Sequence, residues 1–214
     1  MLSRLVLATS LAMTAAVCGF ARDPDHLRKG EEKLWGQSDR DYMRAVHTIL
    51  ARGWRGDVVV RMLDLPAGPP EAAIGIARTR AGYHAFEAKA STGLWGALSD
   101  LSGHIKHDYR GLHAVVHDRP LSDALSARIA ALWRHVLTDP RNYGEETKIY
   151  VDANVFTFDL RFLPREHLTA HSTSAGVRTE QLILVARAIG NFARGGPESE
   201  LSKAVAKAER TIGI

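Results

Sequence analysis

Cysteine is almost absent. Cys18 stands alone in 214 residues, so the chain builds no disulfide framework, Cys-rich zinc site or Cys-x-x-C redox pair of its own. No strong excess of one charge sign is present either: 28 Lys+Arg against 24 Asp+Glu leave +4, despite a sequence pI near 9.4. The arginines are scattered and most have acids nearby. Arg52 and Arg55 flank Trp54, Arg78 and Arg80 flank Thr79, and Arg161 and Arg165 flank a strand end. Nucleic-acid binding needs a basic stripe with interleaved aromatics, and that stripe is missing. Phosphate-binding glycine loops, a G-x-S-x-G elbow and an S-x-x-K with K-T-G set are missing too. Beyond the first 21 residues no apolar run is long enough to cross a bilayer. What is present is ordinary: 45% hydrophobic and 24% charged residues exclude a fully disordered chain and fit one domain.

Residues 1–21 carry the layout of a secretory signal peptide. Arg4 gives a positive start, Leu5 to Phe20 forms a short apolar region broken by Thr9, Ser10 and Thr14, and Gly19-Phe20-Ala21 supplies small residues for cleavage. Charged sequence follows at once in Arg22, Asp23 and Asp25. The expectation is export to the periplasm or medium with a cut after Ala21. Lipidation at Cys18 is disfavoured, because Val17 stands where a small residue is required. Removing 21 residues from 214 leaves 193. With Arg4 and Cys18 gone, the mature chain carries +3 and no thiol, a composition suited to an oxidising compartment.

Residues 22–37 mix charges with Pro24, Gly30 and Gly36 and read as an exposed leader before a single domain over 38–214. Ser38 and Asp41 resemble a capping box, and Tyr42, Val46, Ile49 and Leu50 at helical spacing predict a helix over 39–52. The period then changes. Val58, Val60 and Met62 alternate, as do Ala72, Ile74 and Ile76, and then His84, Phe86 and Ala88, with turns at 66–70 and 79–82, which predicts a three-stranded antiparallel meander. A short helix over 94–101 and a fourth strand over 112–116 follow, and Leu125, Ile129, Leu132 and Val136 define a helix over 121–138. Residues 148–162 read as a hairpin turning at Asp152-Ala153-Asn154, with Phe156, Phe158, Leu160 and Phe162 on one face. A short strand at 168–172 precedes helices over 177–194 and 198–211, separated by Gly195-Gly196-Pro197. The sum is an α+β fold, an antiparallel meander sheet packed against helices with two helices at the C-terminal end.

Histidine offers the only dense candidate chemistry. His104, His107, Asp108, His113 and His117 crowd one segment, and four imidazoles with a carboxylate suit zinc or a similar metal. A helical turn at 103–108 would place His104 and His107 on one face, and a strand at 112–117 would do the same for His113 and His117. No known ligand spacing is met, so no cofactor is assigned and the histidines read first as residues of a part-solvated strand and loop. Glu166-His167-Leu168-Thr169-Ala170-His171 has zincin His spacing but places Leu168 where the general base belongs, and is rejected. Trp133 reads as core. Trp54 with Arg52 and Arg55, just past a helix stop, reads as a candidate binding cluster, since interface hot spots favour these residue types.

Pro70-Glu71-Ala72-Ala73-Ile74-Gly75-Ile76 with Gly82-Tyr83-His84-Ala85-Phe86, Arg119-Pro120-Leu121-Ser122 opening a helix with Trp133, and Phe156-Thr157-Phe158 resemble, taken together over 40–195, small signal-bearing hypothetical proteins of Gram-negative bacteria. Ala153 or Asn154 stands where the hairpin glycine is usual. The resemblance implies export and carries no activity. Two readings follow: an exported, non-enzymatic binding or accessory domain for a periplasmic protein or small ligand, and a histidine-based metal-dependent hydrolase. The first is preferred, because no catalytic signature is complete.

Overall fold

Val58, Val59 and Val60, three β-branched residues in a row, begin the strand that forms the middle of the sheet. The computed structural model describes residues 27–29, 37–51, 57–66, 68, 70–100, 102, 104–140, 154–161, 166–173 and 176–214. Within these, β1 (Arg28–Lys29) and α1 (Gln37–Ala51) precede β2 (Asp57–Leu65), β3 (Ala72–Thr79) and β4 (Gly82–Ala90). Then come α2 (Leu94–Leu98), β5 (Ala114–Leu121), α3 (Asp123–Thr138), β6 (Val155–Leu160), β7 (Leu168–Ser172), α4 (Val177–Ala193) and α5 (Glu198–Ile212). The expected α+β class, the antiparallel meander and the two closing helices are all present.

The strands lie in the order β1-β7-β6-β2-β3-β4-β5, and every pairing is antiparallel. The β3–β4 turn closes at Gly82, whose φ of +115° is left-handed backbone that glycine adopts without strain. Between β2 and β3 the register shifts at Val58/Val60. The bulge brings the Val60 carbonyl against Gly75, where any Cβ would sit 2.0 Å from that oxygen.

The sheet separates two apolar layers. On one face Met62, Ile74, Ile76, Phe158 and Leu160 pack with Ile129, Leu132 and Trp133 of α3, Leu182 and Ile189 of α4, and Leu201 and Val205 of α5. On the other face Leu63, Ala73, Phe86 and Ala88 pack with Ala45, Val46, Ile49 and Leu50 of α1 and Leu94 and Leu98 of α2. The alternation of each strand between these two layers is what the period-2 pattern encodes. Among the described residues no helix is long and apolar enough to cross a membrane.

Three details differ from expectation, and a fourth expectation falls partly outside the described residues. The leader read as exposed holds a fully buried residue, Leu27, and pairs Arg28 with His171 and Lys29 with Ala170; one apolar residue among charges carries no periodic signal. Helix α1 starts at Gln37, ahead of the Ser38 read as its cap. Strand β5 runs through Pro120 instead of stopping before it, which an edge strand tolerates because a proline on its open side removes no ladder bond. The hairpin over 148–162 has only its second arm among the described residues, and that arm, β6, lies between β2 and β7.

Candidate functional site

The histidine segment does not converge. Ile105 bridges to Ser99, and the Asp100 carboxylate accepts the N–H groups of Ser102 and His104 at 2.8 and 3.0 Å. Residues 104–109 are therefore an irregular loop without the helical turn that would align His104 and His107. Those backbone bonds, the one from His104 first, hold the Asp100 carboxyl below its usual range. His104 is exposed beside Asp100 at 3.9 Å. His107 lies 4.0 Å from Asp41. Asp108 is held by Arg110, whose Nη2 reaches it at 2.7 Å and whose hydrogen bonds lower its pKa. His113 Nδ1 lies 3.2 Å from the Gly111 carbonyl, and His117 pairs across the ladder with Glu87. His113 and His117 do lie on one side of the β5 line, but four extended residue steps set them about 13 Å apart, too far for one ion. Among the described residues no three His, Cys, Asp or Glu side chains are placed to hold a metal.

Arg52, Trp54 and Arg55 lie outside the described residues. Trp133 is fully buried and meets Phe158 edge-on at 6.5 Å, as a core residue does. Among the described residues the exposed indole is Trp95, 44% exposed on α2. No helical stripe or cluster of charge marks it in the sequence.

Trp95 stands in a rigid frame built around Glu71. Glu71 follows Pro70 at the entry to β3 and is buried. Its carboxylate accepts the Leu94 N–H at 2.8 Å and the Trp95 N–H at 3.2 Å. It thereby replaces the side-chain cap that Gly93 cannot supply at the start of α2. The Tyr42 hydroxyl of α1 donates to the same carboxylate at 2.6 Å. Burial, then the hydrogen bond to Glu71 and its charge, push the Tyr42 pKa far above the ordinary phenol value, so this group is a permanent neutral donor. The Tyr42 and Trp95 rings meet at 5.1 Å and 81°, an edge-to-face contact. Asp41, beside Tyr42 on α1, faces His107 at 4.0 Å and Arg44 at 3.4 Å. One loop carboxylate thus ties together α1, α2 and the β2–β3 connection, and fixes an indole that keeps much of its surface in solvent.

A second polar group lies on this face of the sheet, across β2, β6 and β7. Arg61, Asp159 and Thr169 are direct cross-strand neighbours. Arg61 Nε donates to Asp159 Oδ2 at 2.8 Å and its Nη2 binds the same oxygen. His167 Nε2 lies 3.6 Å from the other carboxylate oxygen. The Asp159 side chain is 3% exposed, so Arg61 is the counter-charge that makes its burial tolerable. Nothing in the sequence marks Asp159, since the 98-residue separation from Arg61 hides the pair. Comparison with protein-family models, curated proteins and solved structures finds no match to the chain.

Proposed function

We propose that the chain is an exported, non-enzymatic binding or accessory domain that engages a protein partner through the face carrying Trp95. The observation that carries this reading is the exposure of Trp95 within a fixed frame. A large aromatic whose backbone and ring are both held loses little conformational freedom on binding, which is how hot-spot residues contribute affinity. Two further facts support it. The buried carboxylates Asp41, Glu71, Glu87 and Asp159 are engaged by Arg44, by Tyr42 and backbone N–H groups, by Arg194 and by Arg61. Residues 1–21 have the signal-peptide layout and the remainder has no thiol.

The test is retention of periplasmic proteins on immobilised mature chain, with Trp95→Ala and Trp95→Phe as variants. The expected result is a defined partner that binds wild type, is lost with Trp95→Ala and is partly kept by Trp95→Phe, while melting temperatures agree within a few degrees. Amino-terminal sequencing of the cell-derived protein is expected to begin at Arg22. Equal retention by Trp95→Ala removes the indole from the interface. Stoichiometric zinc in the purified mature chain, lost on His113→Ala and His117→Ala, would overturn the reading in favour of a metal-dependent enzyme.

A further inference from the structure

We propose that Asp64, Lys89 and Arg187 form a binding site for a small zwitterion, an α-amino acid with an aliphatic side chain, on the face of the sheet opposite Trp95. The cross-strand register puts Val115, Lys89, Ala72, Asp64 and Phe156 in one row. Directly opposed residues share a face, and Ala72 and Phe156 place this row under the layer of α3, α4 and α5. Helix α4 runs along β4 above it. Gly190 meets Glu87 and Ile74, one row on. Arg119, the partner of Ala85 two rows on, stacks on Phe192 at 4.5 Å. One turn before Gly190 comes Arg187, which therefore lies over the row of Lys89, Ala72 and Asp64 and acts on the Asp64 charge.

None of the three charges is engaged within the fold. Among the described residues Asp64 accepts no hydrogen bond, and neither Lys89 nor Arg187 forms an ion pair. The buried carboxylates all hold a partner: Asp41 has Arg44, Glu71 has Tyr42, Glu87 has Arg194 and Asp159 has Arg61. Asp64 is half-buried, and burial raises its pKa against the pull of both cations. A ligand that solvates its charge is therefore favoured there. The Cα atoms of Asp64 and Lys89 are two inter-strand steps apart, about 10 Å, with only the Ala72 methyl between them.

The order of signs selects the ligand. An anion alone gains Lys89 and Arg187 but is set against Asp64, and a cation alone gains Asp64 but is set against two cations. A carboxylate and an ammonium on one carbon satisfy all three groups, the carboxylate between Lys89 and Arg187 and the ammonium on Asp64. The ligand's side chain meets apolar surface. Leu184, 38% exposed, precedes Arg187 by one turn on the exposed stripe of α4, and Val115, 48% exposed, adjoins Lys89. Helix α2, which carries Trp95, packs on the other layer, so loss of either site leaves the other standing.

Calorimetric titration of the mature chain tests the assignment with three probes: L-leucine, isocaproate, which lacks the ammonium, and isoamylamine, which lacks the carboxylate. L-leucine is expected to bind saturably and at least about tenfold tighter than either of the others. Asp64→Asn is expected to weaken L-leucine about tenfold while isocaproate binds equally or better, because the one repelling charge is gone. Arg187→Gln and Lys89→Gln weaken both L-leucine and isocaproate. Lys207→Gln removes a remote positive charge on α5 and leaves every affinity unchanged. No saturable L-leucine binding up to about 10 mM overturns the proposal. So do equal affinities for L-leucine and isocaproate, or an Asp64→Asn chain that binds L-leucine like wild type. Should Asp64→Asn fail to fold, the comparison of the three probes on wild type decides.

Discussion

Removing the Glu71 carboxylate is the sharpest perturbation of the Trp95 frame. In Glu71→Ala three donors lose their acceptor: the Tyr42 hydroxyl and the N–H groups of Leu94 and Trp95. Each part-buried donor left without a partner costs about 1–2 kcal/mol, with some recovery where water reaches Trp95, so the sum is about 3–5 kcal/mol. For a domain of this size that lowers the melting temperature by about 10 °C. Tyr42→Phe removes one of the three bonds and costs about 1 kcal/mol. Urea titration of both variants and of the double variant measures the coupling between the two side chains, expected above about 1 kcal/mol. The same pair predicts an alkaline limit. Burial, the Glu71 bond and its charge raise the Tyr42 pKa in the folded state, so the stability this group supplies is complete below the unfolded phenol value of about 10. Above that pH it is progressively lost, because only the unfolded chain gives up the proton. Wild type therefore loses stability above about pH 10 more steeply than Tyr42→Phe. A Glu71→Ala cost under about 1 kcal/mol, or identical alkaline profiles, refutes the reasoning.

Two further outcomes follow from the sheet. Gly75→Ala would set a methyl 2.0 Å from the Val60 carbonyl and 3.0 Å from the Arg61 Cα; both contacts are backbone in the middle strand, so a loss above about 4 kcal/mol and largely insoluble protein are expected, read by expression and circular dichroism. Asp64, on β2, has its pKa raised by burial, partly countered by Arg187 and Lys89, so its charged form disfavours the fold. That penalty is absent below the unfolded carboxylate value of about 4 and grows as pH rises through the folded one. Asp64→Asn should accordingly raise the urea midpoint at pH 7, with the gain vanishing near pH 3.

Much of the fold was written in local pattern. Strands β2, β3 and β4 follow the alternation of Val60-Met62, Ala72-Ile74-Ile76 and Phe86-Ala88, and α3, α4 and α5 follow apolar stripes bounded by Asp139-Pro140 and Gly195-Gly196-Pro197. Strand neighbours were not so written. Phe156 and Phe158 announce a buried face for β6, but nothing in them says that β2 lies alongside. Strand β1 is two residues long, too short to show a period. The site was least legible. Glu71 sits between a run of breakers and an apolar strand, and its role exists only once α1 and α2 arrive. The histidines at 104–117 looked like a cluster because they are close in sequence; the Asp100 turn and the extended β5 draw them apart.

The position of β6 beside β2 also governs how the molecule assembles. Strands β2 to β4 are contiguous in the chain and can zip as hairpins, and β5 joins them after α2. Their apolar face, with Val60, Met62, Ile74 and Ile76, waits for helices made of residues 123–212. Arg61 finds Asp159 only across 98 residues. Such high contact order makes folding slow, and it leaves the first half of a newly made chain sticky and incomplete until the last helices emerge. Under the export proposed above, that delay keeps the chain open while it is threaded across a membrane. In this topology the middle of the sheet cannot close early.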